Sequence, residues 1–446
     1  MGWNSPRVLL AMLVFSVASA PQQIQAREPA PATLQELVRQ AVRTHEAVQL
    51  ADSRVRRADA DIALTSSALL PRLELNGAYT FYADEQVIEL SEGESFVIRP
   101  AQDWSGSVDL RQTLFYGLRD WRARDIARLN RDIAELDRVT TVNELSLQVA
   151  RAFYDAVALG EWVEVRTIVL EQSQNQLAVA ERRYEVGEIA IADVARWRAE
   201  VAAARQELVV AEGDAELAHN RLRRLVGIEE LGELVAPGAI PVPEGAEDAL
   251  LAQALEQRLE VQTLTHQLEA AGLYVKVERG GWYPELEAAA QYFQQKAGFP
   301  ANDWMSLSLM LTVPIYDGGL TKARVAKAKE DLREVELLQQ TVHRSIADEV
   351  DSAYLRYRAA RAVLDAAVER NEASRLAYRQ VERAFRVGEA STTDLLVATT
   401  EASDAETAQI VARAQREFQA ISLRYAVGLP PLPDLDSRSM IDDTQE

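Results

Sequence analysis

Arg183-Tyr184-Glu185-Val186-Gly187-Glu188, followed by Asp193, returns 201 residues later as Ala384-Phe385-Arg386-Val387-Gly388-Glu389, followed by Asp394. The same offset carries Leu222-Arg223 and Val226-Gly227-Ile228 onto Leu423-Arg424 and Val427-Gly428-Leu429. It also carries Val149, Ala152 and Phe153 onto Val350, Ala353 and Tyr354. One offset held over about 80 residues marks one structural unit built twice, so each half constrains the reading of the other.

Upstream of each glycine the chain reads as one long helix. From about Arg119 to Val186 there is no proline, and Ile126, Leu129, Ile133, Leu136, Leu147 and Ala150 keep a spacing of three to four. The matching run is Leu320 to Val387, and each run of about 68 residues implies a length of about 100 Å. The return from Gly187 comes in two pieces. A helix over 189–226 is followed by an irregular, proline-bearing stretch (227–245) and a further helix over about 246–282. Together the two pieces match the long helix, so one long helix lies beside two shorter ones stacked end to end. The returning helix carries a seven-residue rhythm. Val194, Val201, Leu208, Ala215 and Leu222 form one row; Trp197, Ala204, Ala211, Ala218 and Leu225 form the other. Helices of this kind cannot bury their remaining faces within one protomer, so oligomerisation around an axis is expected.

Towards the N-terminus, Thr33-Leu34-Gln35-Glu36 reads as a capping box opening a helix that runs to about Leu70, where Pro71 stops it. The period then changes to two. Leu73, Leu75, Tyr79 and Phe81 alternate with Arg72, Glu74, Asn76 and Thr80. After a polar, acidic stretch (83–102), Trp104, Val108, Leu110 and Leu114 alternate with Asp103, Ser105, Ser107 and Asp109. This predicts a β-hairpin over about 72–114, and the same scheme recurs over about 285–315. Strands of about ten residues suit a tilted crossing of a bilayer. Trp104 and Trp304 sit at matching strand ends, where interfacial aromatics would lie. A sandwich of soluble strands would alternate in the same way.

Arg7, the apolar run Val8 to Val17 and Ala18-Ser19-Ala20 form a secretory signal within residues 1–26, with cleavage expected after Ala20 or Ala26. No later stretch is long and apolar enough for a spanning helix, so membrane entry requires a β-barrel. The absence of cysteine removes disulfides and thiolate metal sites. A formal charge of −21 argues against nucleic acid and suits a solvated surface or an acidic, water-filled interior. The four histidines (His45, His219, His266 and His343) show no ligand spacing, and no phosphate loop or nucleophile constellation is present. No metal, cofactor or catalytic residue is expected.

These residues resemble the TolC-type outer membrane efflux proteins. The resemblance rests on Arg183 to Glu188 with Asp193, the second copy around Gly388, Leu69-Leu70-Pro71-Arg72-Leu73, and Val313-Pro314-Ile315-Tyr316-Asp317-Gly318-Gly319. It implies an α+β membrane protein: a homotrimer in which each protomer adds four strands to a twelve-stranded transmembrane β-barrel, continued by a periplasmic α-helical coiled-coil barrel. It assigns residues 27–228 and 247–429 to two repeats, 229–246 to an equatorial linker and 430–446 to a C-terminal tail. The implied function is an exit duct of a tripartite efflux or type I secretion system in the outer membrane. Its implied partners are a periplasmic adaptor, an inner-membrane RND, ABC or MFS transporter, and outer membrane lipid. It is no enzyme. The alternative from a different class is a periplasmic coiled-coil scaffold without a pore.

Gly187 and Gly388 end long helices, where a left-handed residue closes the turn. The resemblance makes Val186, Gly187, Glu188, Val387, Gly388 and Glu389 the surface met by the adaptor as well. Two readings are open for Asp193 and Asp394: a carboxylate favouring a helix N-terminus, or a ring of acids at the closed periplasmic gate. The family links its closed end through a tyrosine and an arginine, and the matching residues here are Phe385 and Ala390. The closed state is therefore expected to rest on Arg386 and Arg383 with Glu389 or Glu188. The copies are unequal at these tips: Tyr184 corresponds to Phe385, Ile189 to Ala390 and Trp197 to Ala398.

Overall fold

The structure is a computed structural model that describes residues 31–89, 95–296 and 303–433. The expected signal segment and the tail beyond residue 433 lie outside the described residues. The chain runs β1 (Ala32–Thr33), α1 (Leu34–Thr44), α2 (Glu46–Ser67), β2 (Arg72–Phe81), β3 (Gln86–Glu89), β4 (Ser95–Arg99) and β5 (Gln102–Tyr116). It continues with α3 (Arg119–Glu185), α4 (Ile191–Val226), β6 (Leu234–Val235), α5 (Glu247–Gln257) and α6 (Leu259–Arg279). It closes with β7 (Glu285–Gln295), β8 (Asp303–Thr312), α7 (Leu320–Arg386) and α8 (Thr392–Ala426).

The capping box forms as the sequence predicts: Glu36 N–H donates to Thr33 Oγ1 at 3.4 Å, and Thr33 N–H donates to the Glu36 carboxylate at 3.1 Å. The helix it opens does not run unbroken to Leu70. His45 takes an extended conformation (φ −75°, ψ 133°) and its ring nitrogen accepts from Ala47 N–H, which starts α2 afresh. The helix expected over 246–282 breaks in the same way at Arg258 (φ −64°, ψ 136°). Both breaks have a tertiary cause. Gly227, at the end of α4, lies against the Thr44 side chain, whose Oγ1 donates to Val226 O at 2.8 Å. Gly428, just past α8, lies against the backbone of Gln257 and Arg258. Returning helices thus end on the joints of shorter ones.

The two long helices have 67 residues each, about 100 Å, and the returning α4 and α8 have 36 and 35. Along α4 the predicted seam faces inward: Val194, Trp197, Ala204, Ala211, Ala215 and Leu222 are buried, and Val201, Leu208, Ala218 and Leu225 are partly buried. The largest core gathers near mid-length, where Phe153 and Val149 of α3 meet Val38 of α1, Leu222 of α4 and Ile421 of α8. The linker joins this level through β6, which pairs in parallel with β1.

Four strands form one antiparallel sheet in the order β2-β5-β7-β8. β5 is longer than expected, 15 residues with an irregularity between Thr113 and Phe115. The acidic stretch between β2 and β5 also carries a small ribbon, β3 paired with β4, to which the sequence assigns no element.

Candidate functional site

Each long hairpin closes in the same way. Gly187 (φ 76°) and Gly388 (φ 85°) take the left-handed conformation. Glu188 N–H donates to Arg183 O and Glu389 N–H to Ala384 O, at 2.9 and 2.8 Å, which satisfies carbonyls left over at the helix ends. The flanking valines project into solvent, with Val186 70% and Val387 71% exposed. No contact accounts for these two apolar side chains within the protomer.

Beyond the glycines the copies diverge. In the second, Ser391 caps α8: Asp394 N–H donates to Ser391 Oγ at 3.2 Å, while Ser391 N–H and Oγ–H donate to the Asp394 carboxylate at 2.9 and 2.7 Å. These bonds hold the Asp394 carboxyl below its ordinary pKa. In the first copy Ala190 occupies the cap position and offers no side-chain bond. Asp193 instead has Arg196 beside it at 3.9 Å. The two aspartates share a sequence position but not a set of partners.

Arg386 makes an ion pair with Glu382, one turn back on its own helix, at 2.5 Å. Within the protomer it pairs with neither Glu389 nor Glu188, the partners expected for it in the closed assembly. At the tips the arginines that reach between hairpins belong to the first one, whereas further along Arg413 of the second pairs with Glu161 of the first. Arg183 sets its guanidinium carbon 5.8 Å from the centre of the Phe385 ring, and Arg196 donates to Thr393 Oγ1 at 3.3 Å. Arg183 also lies 3.9 Å from Glu188. Beneath these polar contacts, Ala180, Val194 and Trp197 of the first hairpin bury Leu395 of the second, with Phe385 and Tyr378 against them. Burial pushes the Tyr378 hydroxyl pKa up. Ser391-Thr392-Thr393-Asp394 carries a capping-box signature, so that bond was readable. Arg183 and Arg196 gave no such signal, because nothing local says which helices lie side by side.

The sheet is the second region of interest. Leu73, Leu110, Ala290 and Leu307 form one cross-strand row, and Leu75, Val108, Tyr292 and Met305 the next. Leu75, Met305 and Leu307 are each more than 80% exposed, so this face has no cover in the protomer. The opposite face is polar. Asp109 there accepts from Ser107 Oγ (2.6 Å), Asn76 Nδ2 (2.8 Å) and Gln291 Nε2 (2.5 Å). Trp104 and Trp304 stand at the same end of the sheet but not on the same face. Trp104 pairs with Tyr79 on the apolar face, whereas Trp304 stacks on Phe293 (5.4 Å, 25°) beside Ser306 on the polar one. No helix among the described residues is long and apolar enough to cross a membrane.

A sheet apolar on one face and polar on the other, joined to two helical hairpins about 100 Å long, suits an outer-membrane channel protein. The chain belongs to the family described as Outer membrane efflux protein, whose sequence model matches residues 37–228 and 250–429. It is 23% identical over 411 residues to outer membrane protein TolC of Salmonella enteritidis, covering 87% of this chain and 81% of that one. It is 26% identical over 381 residues to the outer membrane efflux protein BepC of Brucella suis biovar 1, covering 84% and 79%. Among solved structures, the CmeC outer membrane channel of Campylobacter jejuni superimposes with a TM-score of 0.77 at 16% identity, over 93% of this chain and 89% of that one. The chain is an outer membrane protein of the efflux type.

Proposed function

We propose that three copies of this chain form a passive exit duct, each contributing four strands to one closed barrel. A periplasmic adaptor would meet the helical tips, and an inner-membrane transporter of the RND, ABC or MFS class would supply the cargo. The observation that carries the reading is the sheet. Its apolar face is uncovered, its other face is polar, and β2 and β8 are both edge strands in the described sheet. In lipid such edges must be paired, and closure with neighbouring copies is the arrangement that pairs them. A soluble scaffold would leave the apolar face in water.

The near-equal helices and the family model's two matches support two copies of one unit, residues 27–228 and 247–429 with the linker 229–246 between. In this reading the gate is the tip region around Asp193, Phe385, Arg386 and Asp394, and Arg183 and Arg196 tie the hairpins together when it is closed. Val186-Gly187-Glu188 and Val387-Gly388-Glu389 are the adaptor-docking tips. Trp104 is the membrane-interface aromatic on the lipid side, and Trp304 faces the lumen. The chain does no chemistry, and its role is conduction.

Fractionation tests the reading. A heat-resistant trimer in outer-membrane extracts is the expected result; release of the protein with the soluble periplasm overturns it.

A further inference from the structure

Lysine is scarce in this chain, with five among 48 basic residues. Four of the five lie where helices meet strands. Lys276 is near the end of α6, and Lys322, Lys327 and Lys329 fall within the first ten residues of α7. All four are exposed. Residues 320–329 contain no acid, and Arg324 adds a fifth cation to the group. Helix stability does not explain the placement, because cations near a helix N-terminus oppose its dipole. Nor does pairing: Lys327 meets Asp331 at 3.3 Å in an exposed contact, and Asp317 is engaged with Gly319 and Thr321 N–H. Lys322 and Lys329 make no ion pair among the described residues.

Apolar side chains stand exposed beside these cations. On the segment entering α7, Ile315 is 95% and Tyr316 87% exposed, and Trp282 and Tyr283 follow α6 at 53% and 54%. Aromatic and aliphatic groups at a strand end, with flexible cations one to three turns beyond, match the layering of a bilayer edge. Rings settle at the headgroup level, and lysine stems reach from the water side. The first five residues of α7, with Lys322, rise about 7 Å, comparable with the headgroup zone of a leaflet, while Lys327 and Lys329 stand about 11 and 14 Å along the helix and reach back towards it through their stems.

We propose that this collar binds the anionic headgroups of phospholipids in the leaflet facing the helices. Ile315, Tyr316, Trp282 and Tyr283 enter the interface while Lys276, Lys322, Lys327 and Lys329 hold the phosphates. Lysine suits that partner, being a compact, strongly hydrated charge that adapts to mobile headgroups. The inference rests on the reading that β2, β5, β7 and β8 cross the membrane.

The test reconstitutes the full chain in vesicles of phosphatidylethanolamine with phosphatidylglycerol, extracts it and identifies retained lipid by native mass spectrometry. Wild type should retain phosphatidylglycerol in excess of its share. Changing the four lysines to glutamine should lower that excess on the order of tenfold, and changing them to arginine should preserve it. Equal retention in wild type and the glutamine variant overturns the collar. So does a preference that follows phosphatidylethanolamine. Heat-resistant assembly in the same vesicles is read separately: its absence in wild type would defeat the barrel reading, whereas its presence without lipid preference defeats only the collar.

Discussion

The guanidinium of Arg183, in the last turn of α3, lies 5.8 Å from the ring centre of Phe385 in the last turn of α7. This joins the two hairpins of one protomer at the end where each closes. A cation over an aromatic face at an exposed site contributes roughly 0.5–1 kcal/mol. Arg183→Ala is expected to raise the closed-state current in planar bilayers, and Phe385→Ala to do the same. The double variant should add little to either. Arg386→Ala should have the smaller effect, because its partner Glu382 is on the same helix. A larger rise for Arg386→Ala would reverse the assignment.

Ser391 and Asp394 give the second tip a capping box that Ala190 denies the first. Ser391→Ala should loosen the start of α8 by about 1 kcal/mol, read as faster amide exchange there. The Asp394 pKa is depressed below its ordinary 3.8, so its stabilising contribution is fully present above that value. It is lost as pH falls through the lowered one. Exchange at residues 392–396, corrected for the intrinsic pH dependence of amide exchange, should therefore stay flat from neutral pH down to about pH 5 and rise below about pH 4. A rise beginning near neutrality would remove Asp394 as the cause.

Glycines separate into two kinds. Gly187 and Gly388 need their left-handed backbone, but a methyl group there would touch nothing within 4 Å. Alanine at either should cost about 1–2 kcal/mol locally and leave the yield of heat-resistant assembly unchanged. Gly117 is also left-handed (φ 61°), and a Cβ there would stand 2.5 Å from Gly280 O. Gly117→Ala should block heat-resistant assembly, which gel analysis of membrane extracts would register.

The two faces of β8 should respond oppositely to charge. Leu307→Arg is placed on the uncovered apolar face and should cost about 2–4 kcal/mol of membrane insertion. Ser308→Arg, one residue away on the polar face, should insert normally. Comparable insertion of both would contradict the assignment of faces.

Arg258 is 4% exposed and bonded to Glu349 (2.7 Å) and Glu260 (3.1 Å) beneath the ring of Tyr425. Burial, and then Glu260, push the Tyr425 hydroxyl up to about 12. Arg258→Ala should cost roughly 1.5–3 kcal/mol, seen as a lower unfolding temperature with the sheet intact.

Much of this was legible beforehand where the pattern was long. Helices of 67 residues and strands of ten repeat their period many times, so the sequence places them to within a residue or two. The breaks at His45 and Arg258 were invisible, since no proline marks them and their cause is a glycine that lies far along the chain. The β3–β4 ribbon, four residues against five, is too short to announce itself. Trp304 illustrates a reading that used position and neglected parity. It shares its alternation with Ser306 and Ser308, so its face was written in the sequence. Partners across hairpins, such as Arg196 and Thr393, depend on which helices are neighbours, and local spacing carries no record of that.

α3 and α7 run unbroken over about 100 Å while every helix beside them stops near the middle. In the proposed duct each long helix would act as a lever with its fulcrum at the strand end. A tilt of about 5° about that end sweeps the far tip through about 9 Å over this length. The shorter helices, jointed at His45 and Arg258, lie beside the half of each lever that moves least. Small rotations become wide displacements where Val186 and Val387 stand, with little disturbance of the strands.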